Sequence, residues 1–162
     1  MTSDSYMLQL TLNDIPQTEA LARALAGELR RGDFIALAGA LGAGKTTLAR
    51  CLVRCFAPDE EVPSPTFTLV QSYDAPKFRI AHADLYRIKA QREIVELGFD
   101  EALDVGVLLV EWPDRMGTMM PADRLDIILE VDDGVEERRT KLIGRGNWAE
   151  RLRQLKKRGA IR

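Results

Sequence analysis

Apolar residues are grouped along this chain in two rhythms, and their alternation outlines the fold. Tyr6 to Leu12 reads as a strand. Behind it, Leu21, Leu25, Ala26 and Leu29 recur at the three- and four-residue spacing that places side chains on one helical face. Asn13 or Asp14 can cap that helix, Pro16 suits its first turn, and Gly32 is expected to end it. Asp33 to Ala38 is a short apolar run of the kind buried in a sheet, and Thr46 to Phe56 again has helical spacing. Residues Pro58 to Pro65 read as a loop. Two strands are expected next, Thr66 to Tyr73 and Phe78 to Asp84, joined by a turn around Asp74-Ala75-Pro76. Short helices at Arg92 to Leu97 and Asp100 to Leu103 flank Gly98. Val105 to Val110 is continuously apolar, as a strand covered on both faces must be. Leu125 to Val131 and Thr140 to Ile143 are further strands separated by Asp132-Asp133-Gly134, and a basic helix runs from Trp148 to about Lys157. Strands interleaved with helices predict a three-layer α/β domain with a largely parallel sheet.

The length, 162 residues, suits a single domain over residues 1–162, and no repeat or linker divides it. No apolar run is long enough to span a bilayer, and Met1 to Ser5 lacks the basic and apolar parts of a signal peptide. A cytoplasmic protein without membrane contact is therefore expected. Cys51 and Cys55 lie one helical turn apart; two ligands do not close a zinc site, and both are read as small core residues. The net charge of −2 hides an asymmetry: from Arg138 onward there are ten Lys or Arg and one acid, Glu150. Such a tail is either the solvated side of a helix or a contact for an anionic partner, tRNA among the candidates.

The chemistry is concentrated at Gly39-Ala40-Leu41-Gly42-Ala43-Gly44-Lys45-Thr46, which matches G-x-x-x-x-G-K-[ST]. With a strand before it and a helix after it, this is a phosphate-binding loop in the required setting. Glycines let backbone N–H groups converge on an anion, and the helix N-terminus adds its positive dipole. Lys45 then serves the β- and γ-phosphates, and the Thr46 hydroxyl suits Mg²⁺. The fold expected is thus α/β, a P-loop NTPase fold with a mostly parallel central sheet and additional antiparallel strands. Glu111 follows the end of the apolar run at Val110, where a second Mg²⁺-facing acid belongs. Thr66, within Ser64-Pro65-Thr66-Phe67, is either a switch residue sensing metal and γ-phosphate or simply the start of a strand. In His82-Ala83-Asp84-Leu85-Tyr86-Arg87, His82 and Asp84 share one strand face. Asp84 is a candidate to align water, act as a base or hold a Mg²⁺-bound water, and His82 is read as a core residue that orients it. Arg87 is a candidate partner for a phosphate or carboxylate, and Trp112 either packs or stacks on a base or on a partner protein's side chain.

Taken together and in order, these segments resemble the TsaE family, P-loop ATPases of bacterial tRNA threonylcarbamoyladenosine (t6A) biosynthesis. The resemblance also takes in Glu96-Leu97-Gly98 and Val110-Glu111-Trp112-Pro113, and it covers nearly the whole chain. Ala40 departs from it, since many relatives carry an acid there. The resemblance implies a weak ATPase using ATP/ADP and Mg²⁺, one that resets the TsaD–TsaB threonylcarbamoyl-transferase complex without handling the threonylcarbamoyl group. Carried over by position, Gly42, Ala43, Gly44, Lys45, Thr46 and Thr47 hold phosphates, and Thr46 and Glu111 serve the metal. Lys45, Asp84, Glu111 and Thr66 act in catalysis, while Ile15 and Arg138 lie near the nucleotide base. Two alternatives remain open: a small-molecule P-loop kinase, and a nucleotide-gated binding protein with little hydrolysis. No N-K-x-D segment is present to read guanine.

Overall fold

The phosphate-loop strand runs through the middle of the molecule. In the computed structural model, which describes residues 4–131 and 136–161, the strands are β1 (Ser5–Leu12), β2 (Phe34–Gly39), β3 (Val70–Asp74), β4 (Arg79–Asp84), β5 (Gly106–Glu111), β6 (Arg124–Val131) and β7 (Arg138–Arg145). The helices are α1 (Ile15–Ala26), α2 (Lys45–Arg54), α3 (Gln91–Val95), α4 (Phe99–Val105) and α5 (Asn147–Lys157). One sheet joins the strands in the order β1-β7-β6-β2-β5-β4-β3. Its centre is parallel, with β2 paired to β5 and β6, and β4 paired to β5. The flanking pairs β1/β7, β6/β7 and β3/β4 are antiparallel. This is the three-layer P-loop architecture that the interleaved strands and helices predict.

Burial explains the apolar runs. Phe34, Ile35, Ala36 and Leu37 are all buried because β2 is covered on both faces. One face packs Ile35, Leu37, Leu109, Leu125 and Ile127 against apolar residues of α1, α2 and α5. The other packs Phe34, Ala36, Leu108 and Val110 against Ile94, Phe99 and Met116. Helix α1 starts as expected: Asp14 Oδ1 accepts from the Gln17 N–H at 2.9 Å, and Gln17 Oε1 accepts from the Asn13 N–H at 2.7 Å.

Several boundaries differ from the sequence expectation. Helix α1 ends at Ala26 and not at Gly32; Gly27 is its C-cap, and Glu28 and Leu29 continue as turns bonded to Leu25 O and Ala26 O. Residues 66–69 are not strand. The Leu69 N–H bonds Pro65 O at 2.6 Å and Leu69 takes a φ of 68°, so the chain loops before β3 begins at Val70. Val105 closes α4, exposed, and β5 begins at Gly106. A 3-10 segment at Pro113–Met119 has no counterpart in the apolar periodicity. The expected turn at Asp132-Asp133-Gly134 lies outside the described residues. Among the described residues no helix is long and apolar enough to cross a membrane.

At Gly106, β5 lies close against β4: a Cβ there would run into the Arg79 carbonyl. Gly106→Ala is therefore expected to separate the two strands that carry the candidate acids, at a cost of about 1–3 kcal/mol. Thermal unfolding of the variant checks this; an unchanged midpoint contradicts the β4–β5 packing described.

Candidate functional site

Helix α2 opens directly out of the glycine loop. Its N-cap, Gly44, holds a φ of 105°, which an L side chain rarely adopts, and no side chain caps the helix. The N–H groups of the first turn have no intrahelical acceptors, so they face the loop as an anion-binding end. Lys45 folds back over the loop: its Nζ donates to Gly39 O at 2.7 Å and Ala40 O at 2.8 Å. The ammonium also lies 4.3 Å from the centroid of the Trp112 ring. Burial pulls its pKa below the usual lysine value, while the Glu111 and Asp84 carboxylates push it back up. Because Ala40 contributes its carbonyl, the missing acidic side chain at this position does not disturb the Lys45 contact.

The neighbouring strands bring the acids. Asp84 ends β4 and Glu111 ends β5, and the parallel register pairs the two directly. Both are buried. Thr46 Oγ1 donates to Glu111, 2.9 Å from Oε1 and 3.0 Å from Oε2, joining two segments 65 residues apart. Asp84 is held separately. Its Oδ2 accepts from Thr66 Oγ1 at 2.9 Å, its Oδ1 accepts from the Tyr86 N–H at 2.9 Å, and Ser64 Oγ lies 2.7 Å from Thr66 Oγ1. The loop at residues 66–69 is what lets Thr66 reach Asp84, and the Asp84 N–H bonds Leu69 O at 2.9 Å.

His82 does not do what the sequence suggests. It shares a strand face with Asp84 yet bonds Glu111, with Nε2 2.6 Å from Oε2. The reason is register: His82 pairs with Leu109, so the next residue on that face of β5 is Glu111. Trp112 packs against Lys45 and beside Tyr86, with the two ring centroids 5.0 Å apart, in a left-handed conformation with φ 59°. Arg87 lies over the Phe67 ring at 5.3 Å. The His82–Glu111 bond and the Lys45–Trp112 contact are absent from the sequence reading. Both depend on which strands are neighbours, and no local pattern reports that.

A cleft of about 370 Å³ adjoins the other side of the glycine loop, lined by Ile15, Thr18, Gly44, Thr47, Leu129 and Arg138 among others. Ile15 and Arg138, far apart in sequence, are thus brought together beside Ala43, whose carbonyl accepts from Arg138 Nε at 3.0 Å. The site residues Gly42 to Thr47, Thr66, Asp84 and Glu111 line one end of the parallel strands, where ligands of α/β sheets bind. The chemistry of the donor set fits a polyphosphate with a hard divalent cation: one ammonium, an uncapped helix end, a hydroxyl and two carboxylates. Of these, the Thr46 hydroxyl and the Glu111 carboxylate are the oxygens that could hold Mg²⁺.

Other candidates fall outside this cluster. Cys51 is half-buried and Cys55 is exposed at the C-cap of α2, so Cys55 is not the core residue expected; burial pushes the Cys51 thiol up in pKa. The basic tail also has a structural use. Arg151 Nη1 meets the buried Asp33 carboxylate at 2.6 Å, Arg153 meets Asp4 at 2.8 Å, Arg158 meets Glu28 at 2.8 Å, and Arg145 meets Asp126 at 2.7 Å. Acids of the body therefore engage much of the charge that suggested RNA.

Comparison with known proteins gives the family and supports the fold. Residues 12–140 match the family model described as "Threonylcarbamoyl adenosine biosynthesis protein TsaE". A tRNA threonylcarbamoyladenosine biosynthesis protein TsaE from Rickettsia conorii is 41% identical over 124 residues, covering 76% of this chain and 71% of that protein. Its namesake from Bacillus subtilis is 35% identical over 137 residues, covering 84% and 85%. The crystal structure of Bacillus subtilis YdiB superimposes with a TM-score of 0.81 at 27% identity, covering 98% of this chain and 99% of that one.

Proposed function

This chain belongs to the TsaE family of threonylcarbamoyl adenosine biosynthesis proteins, and from that premise we propose that it is an ATP-binding, weakly hydrolysing ATPase serving t6A modification of tRNA. The observation that carries this reading is the Thr46–Glu111 hydrogen bond, which joins the phosphate-loop helix to the acid at the end of β5. Membership of the family supports the pathway, and the site's donor set supports the ligands, ATP and Mg²⁺. When bound, Mg²⁺ neutralises charge on the phosphate oxygens. The amides of Gly42 to Thr47 and the Lys45 ammonium bind and orient the phosphates. Glu111 holds the Thr46 hydroxyl in place for the metal. Asp84 supports hydrolysis by offering the attacking water Oδ2, the oxygen now held by Thr66. Thr66 is then the residue whose release from Asp84 reports the γ-phosphate. Ile15 and Arg138 flank the cleft that we assign to the base.

The partners proposed are TsaD and TsaB, with hydrolysis resetting their transferase complex between turnovers. Phosphate release measured with ATP, Mg²⁺ and the TsaD–TsaB pair tests this. The expected result is hydrolysis stimulated by the pair and capture of the pair in an ATP-dependent manner. Complex formation without turnover would leave a nucleotide-gated binding protein, and phosphate transfer to a metabolite would establish the kinase alternative.

A further inference from the structure

His82 is fully buried, and Glu111 is almost so. The histidine's Nε2 lies 2.6 Å from Glu111 Oε2, while its Nδ1 is buried with no hydrogen-bond partner among the described residues. A carboxylate accepts and does not donate, so the ring hydrogen in this contact belongs on Nε2. A second hydrogen on Nδ1 would be a buried donor with nothing to receive it, which proteins avoid. Glu111 is thus gripped on two sides: His82 takes Oε2, and the Thr46 hydroxyl spans both oxygens.

We infer that His82 is a positioning residue for Glu111, fixing the carboxylate so that Oε1 is the oxygen presented toward the metal side of Thr46. The inference rests on the reading of Thr46 and Glu111 as the Mg²⁺-facing pair. Its physical basis is freedom of rotation. A glutamate at the end of a strand has a broad terminal torsion, and a hydrogen bond to one oxygen removes most of that freedom. His82 and Glu111 sit on adjacent paired strands, so the bond costs little additional ordering. A residue that orients a metal-facing group from behind contributes typically about 10- to 100-fold to metal affinity or activity.

The chain contains a single histidine, which makes the inference directly observable. With ¹⁵N-labelled protein, the two-bond nitrogen–proton spectrum of the imidazole reports one spin system. The expected pattern is the Nε2–H tautomer in free protein, with the Nε2 resonance shifting when Mg²⁺ and a non-hydrolysable ATP analogue are added. An Nδ1–H tautomer, or an unmoved resonance in nucleotide-saturated protein, overturns the inference.

Variants give the second readout. His82→Leu is expected to lower Mg²⁺-dependent hydrolysis about 10- to 100-fold while leaving metal-free ADP affinity unchanged. His82→Gln, which can still donate from its side-chain amide, is expected to recover most of that loss. If His82→Leu hydrolyses like wild type, or if His82→Gln recovers nothing, the positioning role is wrong while the Thr46–Glu111 site stands. Wild type that binds no Mg²⁺–nucleotide overturns the site itself and the inference with it. The tautomer measurement on wild type decides the matter even where His82→Leu fails to fold.

Discussion

Glu111→Gln is expected to reduce partner-stimulated ATP hydrolysis on the order of 100-fold or more, the scale for removing a preorganised electrostatic contact at the reacting centre. The substitution preserves shape, so the amide still fits between Thr46 and His82. What disappears is the negative charge that faces the metal and the second strong acceptor for the Thr46 hydroxyl. Nucleotide affinity should change by no more than a few-fold, because the proposed phosphate contacts are the loop amides and Lys45, not Glu111. Phosphate release and calorimetry on the same preparation separate the two quantities. A variant that loses affinity and retains turnover would mean that Glu111 is a structural carboxylate.

Lys45→Ala is the complementary case, with the loss falling on binding. The ammonium is held above the loop by the Gly39 and Ala40 carbonyls and by the Trp112 ring, and phosphates entering the loop would draw it off those carbonyls. Removing charge-assisted hydrogen bonds costs about 2–3 kcal/mol, which corresponds to roughly a 100-fold weaker ATP complex. Burial has lowered the lysine pKa in the free protein, and arriving phosphates favour the charged form again. Calorimetric titration with ATP checks the prediction; unchanged affinity would remove Lys45 from the phosphate site.

How much of the site is legible in the sequence follows from the range of the interactions involved. The glycine loop, its lysine and its threonine are contiguous, and the strand and helix around them have clear periodicities, so this half of the site is readable directly. Glu111 stands out because a buried apolar strand ends beside it. Asp84 stands out because it lies two residues beyond His82 on a strand. The partner of His82 is not legible, however, since Asp84 is its neighbour in sequence and Glu111 is its neighbour only through the β4–β5 register. A strand is expected over residues 66–69 because Thr66, Phe67, Thr68 and Leu69 have strand-like side chains. Tertiary contacts to Asp84 and its N–H outweigh that preference. The basic tail illustrates the converse: its composition points outward, yet Arg151 and Arg158 reach carboxylates more than a hundred residues away.

In the proposed function a nucleoside triphosphate binds against the amides of Gly42 to Thr47, with Mg²⁺ between Thr46 and Glu111. A crystal structure of the protein with Mg²⁺ and a non-hydrolysable ATP analogue tests it most directly. The expected structure has the phosphates over the N-terminus of α2, Lys45 in contact with them, and the metal bound by the Thr46 hydroxyl with Glu111 beside it. Analogue bound at another surface, with Lys45 still turned onto the Gly39 and Ala40 carbonyls and the loop empty, would contradict it.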